Sequence, residues 1–222
     1  MWVVGALLLG TILGWGVSDR VFNFLALPLT RALADAGRDP RLMFTHLSDP
    51  FVIYFSVAML FGLLLALPVV MSLVWRVIAP FGLGGGTAKA VAFVISSTTL
   101  FLLGLAFGYW VLLPFVVRYL LGVAEQFQYA VTIREYLRFA LRMLIAMGVS
   151  AQLPLVSFVL ARFGLVTGGR MIRWLPYAVL AAFVLAALIT PPDGISQVLV
   201  AVPMLLLYLL GAVVATFAAP PK

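Results

Sequence analysis

The chain has 222 residues, 65% of them hydrophobic and only 9% charged, with 14 Lys and Arg against 7 Asp and Glu. A soluble domain carries about 45–50% apolar and about 25% charged residues, so this composition excludes a water-solvated globule and leaves lipid as the solvent. The absence of cysteine excludes disulfides and thiolate chemistry, while long unbroken apolar runs exclude a membrane barrel of short alternating strands.

At roughly 20 residues per span, the length holds about six helices in an all-α integral membrane protein. Trp2 to Val17 is the first apolar stretch, which at about 1.5 Å per residue reaches about 24 Å, short of a hydrocarbon core about 30 Å thick. Met1 is followed by Trp-Val-Val with no flanking charge. This argues against a cleaved secretory signal, and the expectation is a further segment upstream. Residues 18–50 read as a polar connection, with Phe22, Leu25, Leu29 and Leu33 at the spacing of a short interfacial helix over Arg20–Leu33.

The second span is expected at Phe51–Val77, broken by Pro68 and closed by Pro80, with a glycine-rich turn at Gly82–Gly86. The third covers 89–117, with Tyr109 and Trp110 as belt aromatics, and the fourth covers 137–160. A fifth span over Trp174–Ile189 and a sixth over 197–217 are short and joined by Thr190-Pro191-Pro192-Asp193-Gly194. Short spans imply a locally thinned bilayer or shielding by partners. The whole reads as a single polytopic membrane domain without internal repeats.

Six spans sort the loops onto two sides. One carries Arg76, Lys89, Arg162, Arg170, Arg173 and Lys222 and no carboxylate; the other carries the remaining eight basic residues and all seven acids. Counting Lys and Arg alone, six against eight, does not orient the chain. The first side is made of short loops, where the positive-inside rule applies best, and is expected in the cytoplasm.

Catalytic groups are scarce. His46 is the lone histidine and falls in a loop, and no carboxylate falls inside a span, so paired-acid proton chemistry has no residues to use. The run Gly82–Gly86 lacks the ending of a phosphate loop. An ordinary secondary transporter would show repeats and a charged midplane site, and neither is found. Gln152 stands out, an amide in mid-span that lipid cannot satisfy, expected to face another helix in this chain or in a partner. Arg134, Arg138 and Arg142 share one helix face and read as snorkelling to the interface. Ser96-Ser97-Thr98-Thr99 reads as side chains bonded back to the preceding turn.

Several stretches recur in a recognisable order. They are Asp49-Pro50-Phe51, Leu73-Val74-Trp75 with Ile78-Ala79-Pro80, Gly104-Leu105-Ala106-Phe107-Gly108-Tyr109 before Pro114, and Met147-Gly148-Val149-Ser150 with Leu153-Pro154. Last come Thr190-Pro191-Pro192-Asp193, Ser196-Gln197 and Pro203-Met204, the most specific block. Together they resemble the TatC family, the membrane-embedded subunit of the twin-arginine (Sec-independent) protein translocase, over nearly the whole chain from Pro28 onward.

The resemblance implies a six-helix, glove-shaped subunit of a bacterial plasma membrane, with both termini cytoplasmic. Such a subunit recognises twin-arginine signal peptides and assembles with single-span TatA- and TatB-type subunits. It moves folded proteins on the proton-motive force, with no catalytic chemistry, cofactor, metal or nucleic acid. Partner contacts carry over to Gln152, Thr190 and Gln197; Pro28, Pro80, Pro154, Pro191, Pro192 and Asp193 carry over as structural motif positions.

The sequence departs from the family in four places. It lacks the opening His-Leu-x-Glu-Leu-Arg segment and an acid between spans two and three, has Gln152 where glutamate is common, and has Leu209 after Tyr208. Guanidinium pairs are best met by carboxylates, so an upstream acid is expected. The alternative is a divergent scaffold subunit that binds partners without reading signal peptides.

Overall fold

The computed structural model describes residues 2–37, 46–81, 86–123, 132–191 and 193–219. Pro192, Arg38, Asp39, Pro40, Arg41, Glu125, Lys222 and the glycine run 82–85 lie outside them. The described chain is almost entirely helical: α1 Trp2–Asp35, α2 Asp49–Ile78, α3 Thr87–Phe107, α4 Leu113–Val123, α5 Ile133–Ser150, α6 Leu153–Arg162, α7 Gly168–Arg173, α8 Leu175–Ile189 and α9 Gly194–Ala218. A π turn, Gly108–Leu112, joins α3 to α4. Five stretches are long and apolar enough to cross a membrane, namely 3–35, 49–78, 87–123, 133–162 and 194–218; α8 is a shorter apolar helix.

Where proline was expected to break a helix, it does so only in part. The first helix does not stop at Val17 but runs to Asp35, through Pro28, and α2 continues through Pro68 to Ile78 before a 3₁₀ turn containing Pro80. A proline removes one N–H and one helical bond, which a membrane helix tolerates when a neighbour serves the freed carbonyl. Pro114 stands at the start of α4 beside the π turn. Pro154 leaves the Ser150 carbonyl without its helical donor, and the chain turns at Ala151–Gln152 before α6 begins.

The chain divides into two units. One comprises Met1–Val70 and Tyr109–Arg142. In it α1 lies so close to α2 that a Cβ on Gly62 would meet the Thr11 nitrogen at 2.8 Å and the Leu7 carbonyl at 2.9 Å. Small residues allow this backbone approach, where lipid offers no hydrophobic drive between helices. Leu25, Leu29 and Leu33 of α1, Leu113, Val116 and Val117 of α4, and Ile133, Tyr136 and Leu137 of α5 are buried.

The second unit comprises Met71–Gly108 and Met143–Lys222. Helix α9 packs on α6, α7 and α8, around buried Ala161, Val166, Met171, Ala212 and Ala215. A Cβ on Gly211 would meet Ser157 Oγ at 2.6 Å. Helix α3 meets the end of α5 in the same way: a Cβ on Gly104 would lie 2.5 Å from the Met147 carbonyl.

Candidate functional site

The broken helix puts Gln152 at its turn. The amide nitrogen donates to the Ser97 carbonyl at 2.8 Å, and its oxygen accepts from the Ser97 hydroxyl at 3.3 Å. Ser97, wholly buried, therefore turns toward α6 rather than back into its own helix, as the sequence alone had led us to expect. It shares a face with Phe101 and Gly104 at i, i+4 and i+7, the buried stripe of α3, so helical spacing carried the signal.

Gln152 and Ser97 line a groove of about 380 Å³ whose other walls include Met71, Val74, Phe93 and Leu155. One amide N–H of Gln152 is spent on Ser97; the side chain has two. No further hydrogen bond engages it among the described residues.

The hairpin of α8 and α9 holds the other expected positions. Thr190 is buried and donates its hydroxyl to the Ala186 carbonyl at 2.9 Å. The Gln197 amide nitrogen donates to the Phe183 carbonyl at 2.8 Å, bracing the two helices against each other. Asp193 caps α9 by accepting from the Ser196 backbone N–H at 2.7 Å, which satisfies one of the orphan donors of the first turn. Its second oxygen, Oδ1, and the Ser196 hydroxyl are buried without a hydrogen-bond partner. Pro191 is exposed. Gln152 bonds to Ser97, not to the hairpin, so the three expected partner positions are not joined by hydrogen bonds among the described residues.

In the other unit, two tyrosines whose roles the sequence reading missed serve carbonyls of α1 in the turn before Pro28. Tyr109 donates to the Phe24 carbonyl and Tyr136 to the Leu25 carbonyl, the latter at 2.8 Å. Pro28 is the signal that was available, because it orphans the carbonyl four residues before it. Arg134 does not snorkel: it pairs with wholly buried Asp49 at 3.0 Å, whose other oxygen accepts from the His46 backbone at 2.9 Å. Among the described residues no three His, Cys, Asp or Glu side chains gather where they could hold a metal ion.

The pattern of the family described as Sec-independent protein translocase protein (TatC) matches residues 1–203. The chain belongs to the TatC family. A TatC of Koribacter versatilis is 36% identical over 209 residues, covering 94% of this chain and 77% of that one. Another from Carboxydothermus hydrogenoformans is 31% identical over 220 residues, covering 98% and 88%. A crystal structure of the twin arginine translocase receptor TatC superposes with a TM-score of 0.87 at 28% identity, over 97% of this chain and 94% of that one. The TatC fold accounts for the five long helices with short α8 as the sixth membrane helix. As a TatC protein, the chain is a multi-pass membrane subunit of the Sec-independent protein translocase, a transport component.

Proposed function

We infer that the chain acts as the receptor subunit of a twin-arginine translocase in a bacterial plasma membrane. In this reading it recognises twin-arginine signal peptides, assembles with single-span TatA- and TatB-type subunits, and passes folded proteins across on the proton-motive force. The loops of 78–90 and 161–173 and both termini face the cytoplasm. Gln152, Thr190 and Gln197 belong to the partner-binding surfaces.

The observation that carries the reading is unspent hydrogen-bonding capacity on two half-buried amides. One N–H of Gln152, beside an apolar groove, and the side-chain oxygen of Gln197 have no partner among the described residues. In a bilayer such groups gain most from a polar atom on another helix, by about 0.6–2 kcal/mol each. A single-span helix with one polar side chain supplies that atom and an apolar body for the groove. The divergent-scaffold alternative draws no support from relatives that share the translocase name.

The test is a photo-crosslinking residue at position 152 or 197 in native membranes. Adducts with a single-span subunit are expected from both positions, and adducts with a precursor only when its two arginines are intact. A chain that is folded in the membrane yet gives neither adduct contradicts the reading.

A further inference from the structure

The unit that contains the first half of α5 uses its carboxylates selectively. Asp49 is taken by Arg134 at 3.0 Å and Asp35 by Arg118 at 3.2 Å. Arg138 and Arg142 have no ion-pair partner among the described residues, and both are exposed. They are four residues apart, so their side chains stand one above the other on the same face.

That face is an outward stripe of α5 at helical spacing, Glu135, Arg138, Arg142 and then Val149, all exposed. Charge occupies its first half and an apolar residue its second. The α5 helix itself, Ile133–Ser150, has 18 residues, about 27 Å at helical rise, close to the thickness of a hydrocarbon core of about 30 Å. On that scale Arg138 lies about 7.5 Å and Arg142 about 13.5 Å along the helix from Ile133. The second is about one turn further along the helix than the first.

Side chains on a helix lean toward its N-terminus, and a long arginine stem can lie along apolar surface while its head reaches the interface. Both guanidinium groups can therefore reach the same interfacial level. Forked donors of this kind match phosphate oxygens in pairs.

We propose that Arg138 and Arg142 form a binding site for the phosphodiester of a membrane phospholipid. The occupant is lipid rather than protein because the stripe grades from charge to hydrocarbon as a bilayer leaflet does. The two arginines give a phosphate of one negative charge a net attraction, even with Glu135 one turn above. Lysines at the same places would keep the charge and lose the paired geometry.

The experiment is native mass spectrometry of the delipidated full chain titrated with phosphatidylglycerol, with diacylglycerol as a phosphate-free control. One tightly retained phosphatidylglycerol and no retained diacylglycerol are expected. The double variant Arg138→Gln/Arg142→Gln should bind about tenfold or more weaker, and Arg138→Lys/Arg142→Lys should fall between. Glu135→Gln, which removes the nearby carboxylate, should tighten binding. Both arginines are exposed, so an unchanged melting temperature in detergent is expected and shows that the variants fold. Equal retention by wild type and the glutamine variant overturns the proposal. Loss of a single-span subunit from the native complex, with lipid retention unchanged, also overturns it and assigns the pair to a protein carboxylate.

Discussion

Tyr109 donates its phenolic hydrogen to the carbonyl of Phe24, the carbonyl that Pro28 leaves without a helical donor. The Phe24 ring stacks on the Tyr109 ring at 4.2 Å, so one side chain both packs on Phe24 and satisfies its carbonyl. A carbonyl left without a donor away from water costs about 1–3 kcal/mol. Tyr109→Phe is therefore expected to lower stability by about that amount, read by thermal unfolding in detergent. Pro28→Ala returns an N–H to the helix, so Tyr109→Phe should cost much less in that background. Equal costs in both backgrounds would show that the hydroxyl does not serve the carbonyl orphaned by Pro28.

Two ion pairs in the same unit differ in burial, and their variants should differ in effect. The Arg118–Asp35 side chains are 66% and 63% exposed, whereas Asp49 is 0% exposed. An exposed pair contributes about 0–1 kcal/mol, and removing one member of a buried pair costs about 3–5 kcal/mol. Arg134 is one-third exposed, which places Asp49→Ala toward the lower end. Asp35→Ala should be near neutral in the same melting experiment; comparable losses would contradict this account of the Asp49 contact.

Close backbone approach makes a third contrast. A Cβ on Gly104 would lie 2.5 Å from the Met147 carbonyl and 2.7 Å from the Ala151 methyl, while one on Gly16 meets nothing within 4 Å. Gly104→Ala should destabilise, because backbone must move, by about 1–3 kcal/mol. Gly16→Ala should stabilise slightly, by about 0.5–1 kcal/mol, through lower chain entropy in the unfolded state. Yield and melting temperature of the two variants, measured side by side, check both signs.

Helices and their polar residues were legible from composition and hydropathy, and so was the family, because its motifs fall at turns and prolines that sequence alone displays. Gln152 was legible as an amide without a solvent. Its partner Ser97 was not, since a serine can bond to its own helix as readily as to another, and choosing requires knowing which face is buried. Tyr109 was read as a belt aromatic and Tyr136 was not singled out, because the carbonyls they serve belong to a helix some 85 and 111 residues earlier in the chain. The run of α1 past Val17 was hidden by Pro28 and by Asp19 and Arg20, whose exposed positions leave the helix intact.

The orientation proposal can be checked directly because the chain has no cysteine of its own. Ser48 and Gly169 are exposed and lie in different connections. In intact spheroplasts an impermeant maleimide should label Ser48→Cys and spare Gly169→Cys until the membrane is opened. The reverse pattern would invert the topology.

The most direct measurement of the central claim is export in the protein's own host, with its chromosomal copy deleted and the chain restored from a plasmid. A folded reporter bearing a twin-arginine signal should reach the far side of the plasma membrane, and the same reporter with two lysines should remain in the cytoplasm. Export of both reporters alike, or of neither while the chain is present and folded in the membrane, would contradict the assignment of twin-arginine recognition to this subunit.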